Sequence, residues 1–334
     1  MDPLTQGVLG AVLPQATAAK GKRMATAGLL GFLAGMAADL DVLIRSSADP
    51  LLFLEYHRQF SHSLIFIPVG GLICALLLHL VIGRRRGLEF RQSWLYCTLG
   101  YATHALLDAC TTYGTMLFWP FSDVRIAWNT ISIIDPLFTL PLLLAVVLAA
   151  KRSRPLFARL GLLWACCYMA LGLWQRNEAV EMGYALAAQR GHTPLRLEAK
   201  PSFANILVWK VVYETADRYY VDAVRAGLSP RVYRGNSVEK LDIPRDLPWL
   251  QLNSQQARDI ERFRWFSNGY IARDPGYPNR VIDIRYSMIP NELAPLWSIE
   301  LRPGAGKSDH AAYLVHRDAG SGRASQLWKM LSGN

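Results

Sequence analysis

No two cysteines of this chain are spaced C-x-x-C, and all five (Cys74, Cys97, Cys110, Cys166, Cys167) lie in or beside apolar segments. That argues against a cysteine metal site and a disulfide framework and leaves the thiols as small apolar core groups. Zinc-finger spacing, an RNA-binding signature and a long Lys/Arg tract are also missing, so the formal charge of +10 does not point to nucleic acid. There is no internal repeat. A cleavable signal peptide of the usual form is missing too, because the first basic cluster, Lys20 to Arg23, follows an apolar stretch instead of preceding it. Membrane insertion is therefore expected to use helices that stay in the protein.

What is present is unevenly distributed. Half of the residues are apolar, yet the mean hydropathy is only +0.14, as when a strongly apolar part and an ordinary soluble part are averaged. Residues 1–175 read as a helical membrane domain, 176–305 as an α+β extramembrane domain and 306–334 as a flexible, Gly/Ser-rich tail. The expected fold is mainly α, with five membrane-spanning helices near 25–44, 63–82, 93–110, 135–150 and 156–174. The stretch Pro3 to Ala19 is less hydrophobic and could cross as a sixth.

Loop charge orients these helices. The loops Lys20–Arg23, Arg84–Arg91 and Lys151–Arg159 hold eleven Lys and Arg, against three (Arg45, Arg58, Arg125) in the alternating loops. Such an excess faces the cytoplasm. The C-terminal domain is then expected in the periplasm of a multi-pass inner-membrane protein. In that domain Ile206–Tyr213 and Tyr219–Val224 read as a hairpin, Val281–Tyr286 and Trp297–Arg302 as strands, and Gln255–Phe263 as a helix capped by Ser254.

Three polar clusters interrupt the apolar half: Asp39 with Asp41, the run His57 to Ser63 with His62 inside it, and His104 with Asp108. Carboxylates and imidazoles are costly beside hydrocarbon and persist there mainly where something binds them. The orientation brings all of them, and Asp135, to the outer leaflet. His104 and Asp108 stack one helical turn apart, which suits gripping one ion, orienting the imidazole from behind, or joining two helices. Asp39 and Asp41 point to different sides of a regular helix, so either the helix ends there or only one of them is a ligand, with a helix cap the competing reading for Asp41. His57 reads as a ligand, a proton carrier or a solvated loop residue. Asp135 before Pro136 is equally a helix cap and a ligand. Three His and up to four Asp can hold one or two divalent ions, with zinc, manganese and iron all compatible. Arg58, Arg125 and Asn129 could hold an anionic substrate group. Phe118, Trp119, Phe121 and Trp128 fit an aromatic belt at the membrane interface.

The opening Met1-Asp-Pro-Leu-Thr-Gln-Gly-Val-Leu-Gly10, Gly35 with Asp39 and Asp41, His57-Arg58, Ser61-His62-Ser63, Gly100-Tyr101, His104, Asp108, Thr111-Thr-Tyr-Gly114 and the Trp-Pro-Phe segment together resemble the bacterial membrane-bound metal-dependent hydrolases. These are also described as LexA-associated inner-membrane hydrolases. The resemblance covers about residues 1–150 and implies a multi-helix membrane domain with a metal site built from those His and Asp positions. Many members have His where this chain has Gln6, which implies a supporting role for the opening segment. The family is distantly similar to zinc-dependent phospholipases C and P1-type nucleases, which implies phosphoester hydrolysis by analogy of fold.

The expected function is therefore an integral inner-membrane hydrolase, with zinc chemistry at His62, His104, Asp108 and Asp39 or Asp41, acting on an ester or phosphoester such as a lipid in the surrounding bilayer. The alternative is a non-catalytic scaffold or transporter in which the same cluster is structural.

Overall fold

The computed structural model describes residues 1–19, 21, 23–316 and 322–333. Lys20 and Lys22 of the first basic loop, and part of the expected tail, lie outside the described residues. The chain divides into two compact units. The first comprises Met1–Leu43, Tyr56–Leu173 and Phe203–Asn205, and the second Ile44–Glu55, Trp174–Ser202 and Ile206–Asn334.

In the first unit, α1 (Pro3–Thr17) starts at Asp2, whose carboxylate accepts from the Thr5 amide at 3.0 Å. Next come α2 (Met24–Met36) and a 3₁₀ segment, Ala37–Leu43. The chain passes through the short α3 (Leu52–Tyr56), which belongs to the second unit up to Glu55, and returns through two more 3₁₀ turns into α4 (Ile67–Leu78). Then follow α5 (Phe90–Cys110), α6 (Pro136–Arg152) and α7 (Pro155–Gln189), whose last residues belong to the second unit.

Helices α1, α2 and α5 meet backbone to backbone. A Cβ built on Gly10 would lie 2.6 Å from the Gly31 carbonyl oxygen, and one on Gly100 only 2.4 Å from that same oxygen. Only glycine permits this approach, the usual device for close helix contact in apolar surroundings. It fixes Gln6, Asp39 and His104 relative to one another.

Among the described residues, three helical stretches are long and apolar enough to cross a membrane: Met24–Leu43, Leu64–Arg86 and Pro155–Gln189. The expectation of five spans is corrected accordingly. Helix α5 has the length, at 21 residues, but carries Arg91, His104 and Asp108. Helix α6 has 17 residues with Pro141 inside, at the lower limit of a crossing. Helix α1, the sixth candidate, has only 15 residues.

The second unit contains two antiparallel sheets. In the first, β1 (Arg196–Pro201), β2 (Val208–Glu214), β3 (Arg218–Arg225) and β4 (Arg231–Tyr233) run side by side, and β5 (Ser237–Glu239) also pairs with β3. The expected hairpin is β2–β3, with Val212 opposite Val221. After the single turn α8 (Ile243–Asp246) comes α9 (Gln255–Phe266), capped by the Ser254 hydroxyl on the Ala257 amide at 3.3 Å. The second sheet is β6 (Ile271–Asp274), β7 (Tyr277–Asp283), β8 (Trp297–Glu300) and β9 (Ala312–Val315) in that order. The stretch 306–334, expected as a flexible tail, instead contributes β9 and the amphipathic helix α10 (Arg323–Ser332). Strand β9 completes the sheet beside β8, and Met330 of α10 is buried against Val208, Ala223 and Ile289.

Candidate metal centre

Four side chains from three elements converge in the first unit. Asp39 comes from the 3₁₀ end of the α2 stretch, His62 from the turn before α4, and His104 and Asp108 from consecutive turns of α5. One donor atom from each lies within 4.8 Å of the others. His62 Nε2 is 3.2 Å from Asp108 Oδ2 and 3.5 Å from Asp39 Oδ1; His104 Nε2 is 3.6 Å and 3.4 Å from the same two oxygens.

The backs of both rings are engaged. His104 Nδ1 donates to the Gly35 carbonyl at 2.6 Å, while His62 Nδ1 faces Asp41 Oδ2 at 3.1 Å and Ser61 Oγ at 3.0 Å. Each imidazole therefore turns Nε2 to the common centre, the arrangement by which outer partners aim metal-binding histidines. Both Nε2 atoms and Asp108 Oδ2 are buried and make no well-aligned hydrogen bond. Buried polar atoms normally have partners, so a cation among them resolves three exceptions at once. The donors present fit a divalent ion. Burial opposes charge on His62, yet the surrounding Asp108, Asp39 and Asp41 outweigh it and raise its pKa to about 10. Positive charge is favoured here.

Asp41 is buried and serves four neighbours. Its Oδ2 accepts from the Ser61 hydroxyl at 2.7 Å and the Arg58 amide at 3.0 Å and faces His62, while Oδ1 meets His57 Nδ1 at 2.7 Å. Burial holds the His57 imidazole below the ordinary histidine range, although Asp41 pulls it upward. Arg58 sits in the left-handed region at φ 66°, a strained position for a side chain with a Cβ. In return its amide reaches Asp41 and its guanidinium reaches Asp108 Oδ2 (3.0 Å) and the Thr111 hydroxyl (3.1 Å), with Tyr113 stacked at 4.7 Å. Gln6 Nε2 donates to Asp108 Oδ1 at 2.8 Å, and the Met1 amine also pairs with Asp108. The opening segment thus touches the centre without presenting an imidazole to it.

A cleft of about 370 Å³ opens beside the centre, lined by Met1, Pro3, Met36, Leu40, Val42 and three polar residues, Asp39, His57 and Arg58. Three expected residues are elsewhere. Asp135 caps α6 through the Phe138 amide (3.2 Å) and accepts the Tyr168 hydroxyl at 2.9 Å on both oxygens. It joins neither candidate ligand set among the described residues and occupies the cap position of the Asp-Pro pair. Arg125 donates to the Gly114 carbonyl at 2.9 Å and stacks on Tyr113 at 5.2 Å; it does not line the cleft. Asn129 does not line it either. Sequence reasoning overlooked the Gly35 carbonyl, Thr111 and Tyr113 as working parts. The last two stand in a Thr-Thr-Tyr-Gly run that was visible as a motif, whereas a backbone carbonyl leaves no residue-type signal.

Residues 1–179 match the family described as YdjM inner membrane protein. The chain belongs to that family. It is 27% identical over 213 residues to the uncharacterized protein YfhP of Bacillus subtilis (strain 168), covering 59% of each chain. It is also 35% identical over 111 residues to the inner membrane protein YbcI of Escherichia coli (strain K12), covering 31% of this chain and 60% of the relative. The chain thus spans about three fifths of the length of these curated relatives. No solved structure matches. Family membership and the apolar helices together support a location in the inner membrane, in agreement with the bacterial membrane family that the motifs resemble.

Proposed function

We propose that this member of the YdjM family is a metal-dependent hydrolase that cleaves an ester or phosphoester at the outer leaflet of the inner membrane, with a bilayer lipid as the substrate class. The observation that carries the reading is the pair of imidazoles whose Nε2 atoms are buried without hydrogen bonds and face the same two carboxylates. Asp39, His62, His104 and Asp108 would hold the ion, a set compatible with zinc, manganese or iron. A divalent ion held there supplies Lewis-acid chemistry for hydrolysis.

The chain's own groups divide the remaining work. Asp41 and Gly35 hold the two rings in place. Arg58, at the cleft wall, offers positive charge to an anionic oxygen, and His57, anchored by Asp41, is placed to carry a proton at the same wall. The apolar lining of Met36, Leu40 and Val42 suits an acyl or prenyl portion. Exposed Leu40 and Leu43 continue that apolar surface, and exposed Phe118, Phe121 and Trp128 suit a belt at the interface. The outer-leaflet and periplasmic placement is supported by the basic loops. The side of the C-terminal unit survives the reduction from five spans to three, because removing a pair of crossings leaves the later chain on the same side.

The test is elemental analysis of detergent-purified protein, followed by a panel of phospholipids and soluble phosphoesters. Bound transition metal that disappears in His104→Ala together with Asp108→Ala, and hydrolysis lost with it, is the expected result. Protein that stays free of metal after incubation with zinc, manganese and iron would end the proposal; a loaded protein inert toward the whole panel would favour a structural centre.

A further inference from the structure

Asp39 belongs to two donor sets at once. The first is the set described above. The second is Asp39, Asp41 and His57, which again bring one donor atom each within 4.8 Å. The two differ in access. In the first set the side chains of His62, His104 and Asp108 are fully buried. In the second, the side chains of Asp39 and His57 are 20% and 19% exposed, and both line the cleft.

Asp41 already separates its two oxygens by role. Its Oδ2 is taken by Ser61, Arg58 and His62, the contacts that aim the His62 ring, while Oδ1 meets His57 alone among the described hydrogen bonds and ion pairs. The 2.7 Å contact between His57 Nδ1 and Asp41 Oδ1 brings together two atoms that a cation could take in its place.

We propose that Asp39, Asp41 and His57 form a second, weaker cation site, joined to the buried one through a shared Asp39 carboxylate and open to the cleft where substrate binds. The proposal rests on the reading that the buried set holds an ion. Charge sets the order of filling. Three carboxylates stand against the Arg58 guanidinium and the Met1 amine, so a single divalent ion already brings the centre to neutrality or beyond it when its imidazoles are neutral. A second ion leaves positive charge in excess, and an anionic group in the cleft offsets it. The second ion and an anionic ligand should therefore strengthen each other's binding, since such coupling is reciprocal.

The experiment is titration of full-length, metal-stripped protein in detergent with Mn²⁺, read by calorimetry, elemental analysis and electron paramagnetic resonance, with and without inorganic phosphate. About two equivalents are expected, with an exchange-coupled signal at saturation, as from paired ions. Phosphate should tighten the weaker step by about tenfold. His57→Ala, or His57→Gln where alanine fails to fold, should retain one equivalent with an isolated-ion signal. A saturated protein holding one equivalent overturns the second site and leaves the buried one intact. No binding overturns both. Two equivalents persisting in both His57 variants overturn the assignment to this residue.

Discussion

A single hydroxyl shows how the centre is assembled. Ser61 Oγ donates to Asp41 and lies 3.0 Å from His62 Nδ1, so it touches no donor atom of the buried set yet fixes the plane of a ring that supplies one. Ser61→Ala should weaken the tighter ion by about tenfold while leaving the folded protein in place. Competition with a chromophoric chelator measures this; an unchanged dissociation constant would show that Asp41 alone aims the ring. The same scale explains what was readable from sequence. His104 and Asp108 announced themselves by a spacing of four, and His62 and Asp39 by being polar in an apolar half. Asp135 was ambiguous because an N-cap and a ligand demand the same carboxylate, and only the Tyr168 hydroxyl separates them. Arg125 carries the right charge, but its guanidinium is drawn to Gly114 and Tyr113, which charge alone cannot foretell.

At the scale of elements, close contact between helices decides whether the ligands line up. The Gly31 carbonyl takes the backbone of both Gly10 and Gly100 at distances no Cβ tolerates. Gly100→Ala should cost about 1–3 kcal/mol and also reduce ion binding, because α5 carries His104 and Asp108 while α2 leads directly into Asp39. Thermal unfolding in detergent, with and without added metal, checks both parts; a variant equally stable and fully loaded would count against this packing. In the second unit Lys210 on β2 is buried and donates to Ser287 Oγ at 2.7 Å and the Glu292 carbonyl at 2.8 Å. Burial is the main cause that pushes its pKa from 10.5 down to about 7. Between those values the unfolded chain binds more protons than the folded one, so stability rises with pH from about 7 to 10.5 and this contribution is flat below. The slope should approach about 1.4 kcal/mol per pH unit and disappear in Lys210→Met. Denaturation followed by circular dichroism across that range tests it. Periodicity was a fair guide to β2, β3, β7, β8 and α9. It misled after residue 303, where a Gly/Ser-rich composition concealed a pairing edge for β9 and an apolar stripe on α10 that exist only once partners are in place.

For the molecule as a whole, the open question is sidedness. Three helices qualify as crossings on length and composition, and the two disqualified ones, α5 and α6, are those whose polar residues or short length conflict with lipid exposure. Hydropathy alone could not separate a helix that crosses from one enclosed by its neighbours, since both read as apolar runs; this is why the five expected spans reduced to three. Charge bias still makes a concrete prediction. A cysteine placed at exposed Arg85 should react with an impermeant maleimide only after the inner membrane is opened, and one at fully exposed Leu228 should react in spheroplasts directly. The exposed native Cys166 and Cys167 are replaced by serine in both variants compared. The reverse pattern would place the C-terminal unit in the cytoplasm and invert the proposed leaflet.

The crowding around Asp41 has a consequence for descent. Its two oxygens accept from or face four groups, so asparagine there would set an amide donor against a ring nitrogen, a hydroxyl or a main-chain N–H, and glutamate would overrun the space of one methylene. Position 41 is thus unable to drift ahead of its surroundings. Any lineage abandoning or rebuilding this centre must first alter residues 57, 61 or 62, and only then the aspartate, which gives the order in which intermediates should be found.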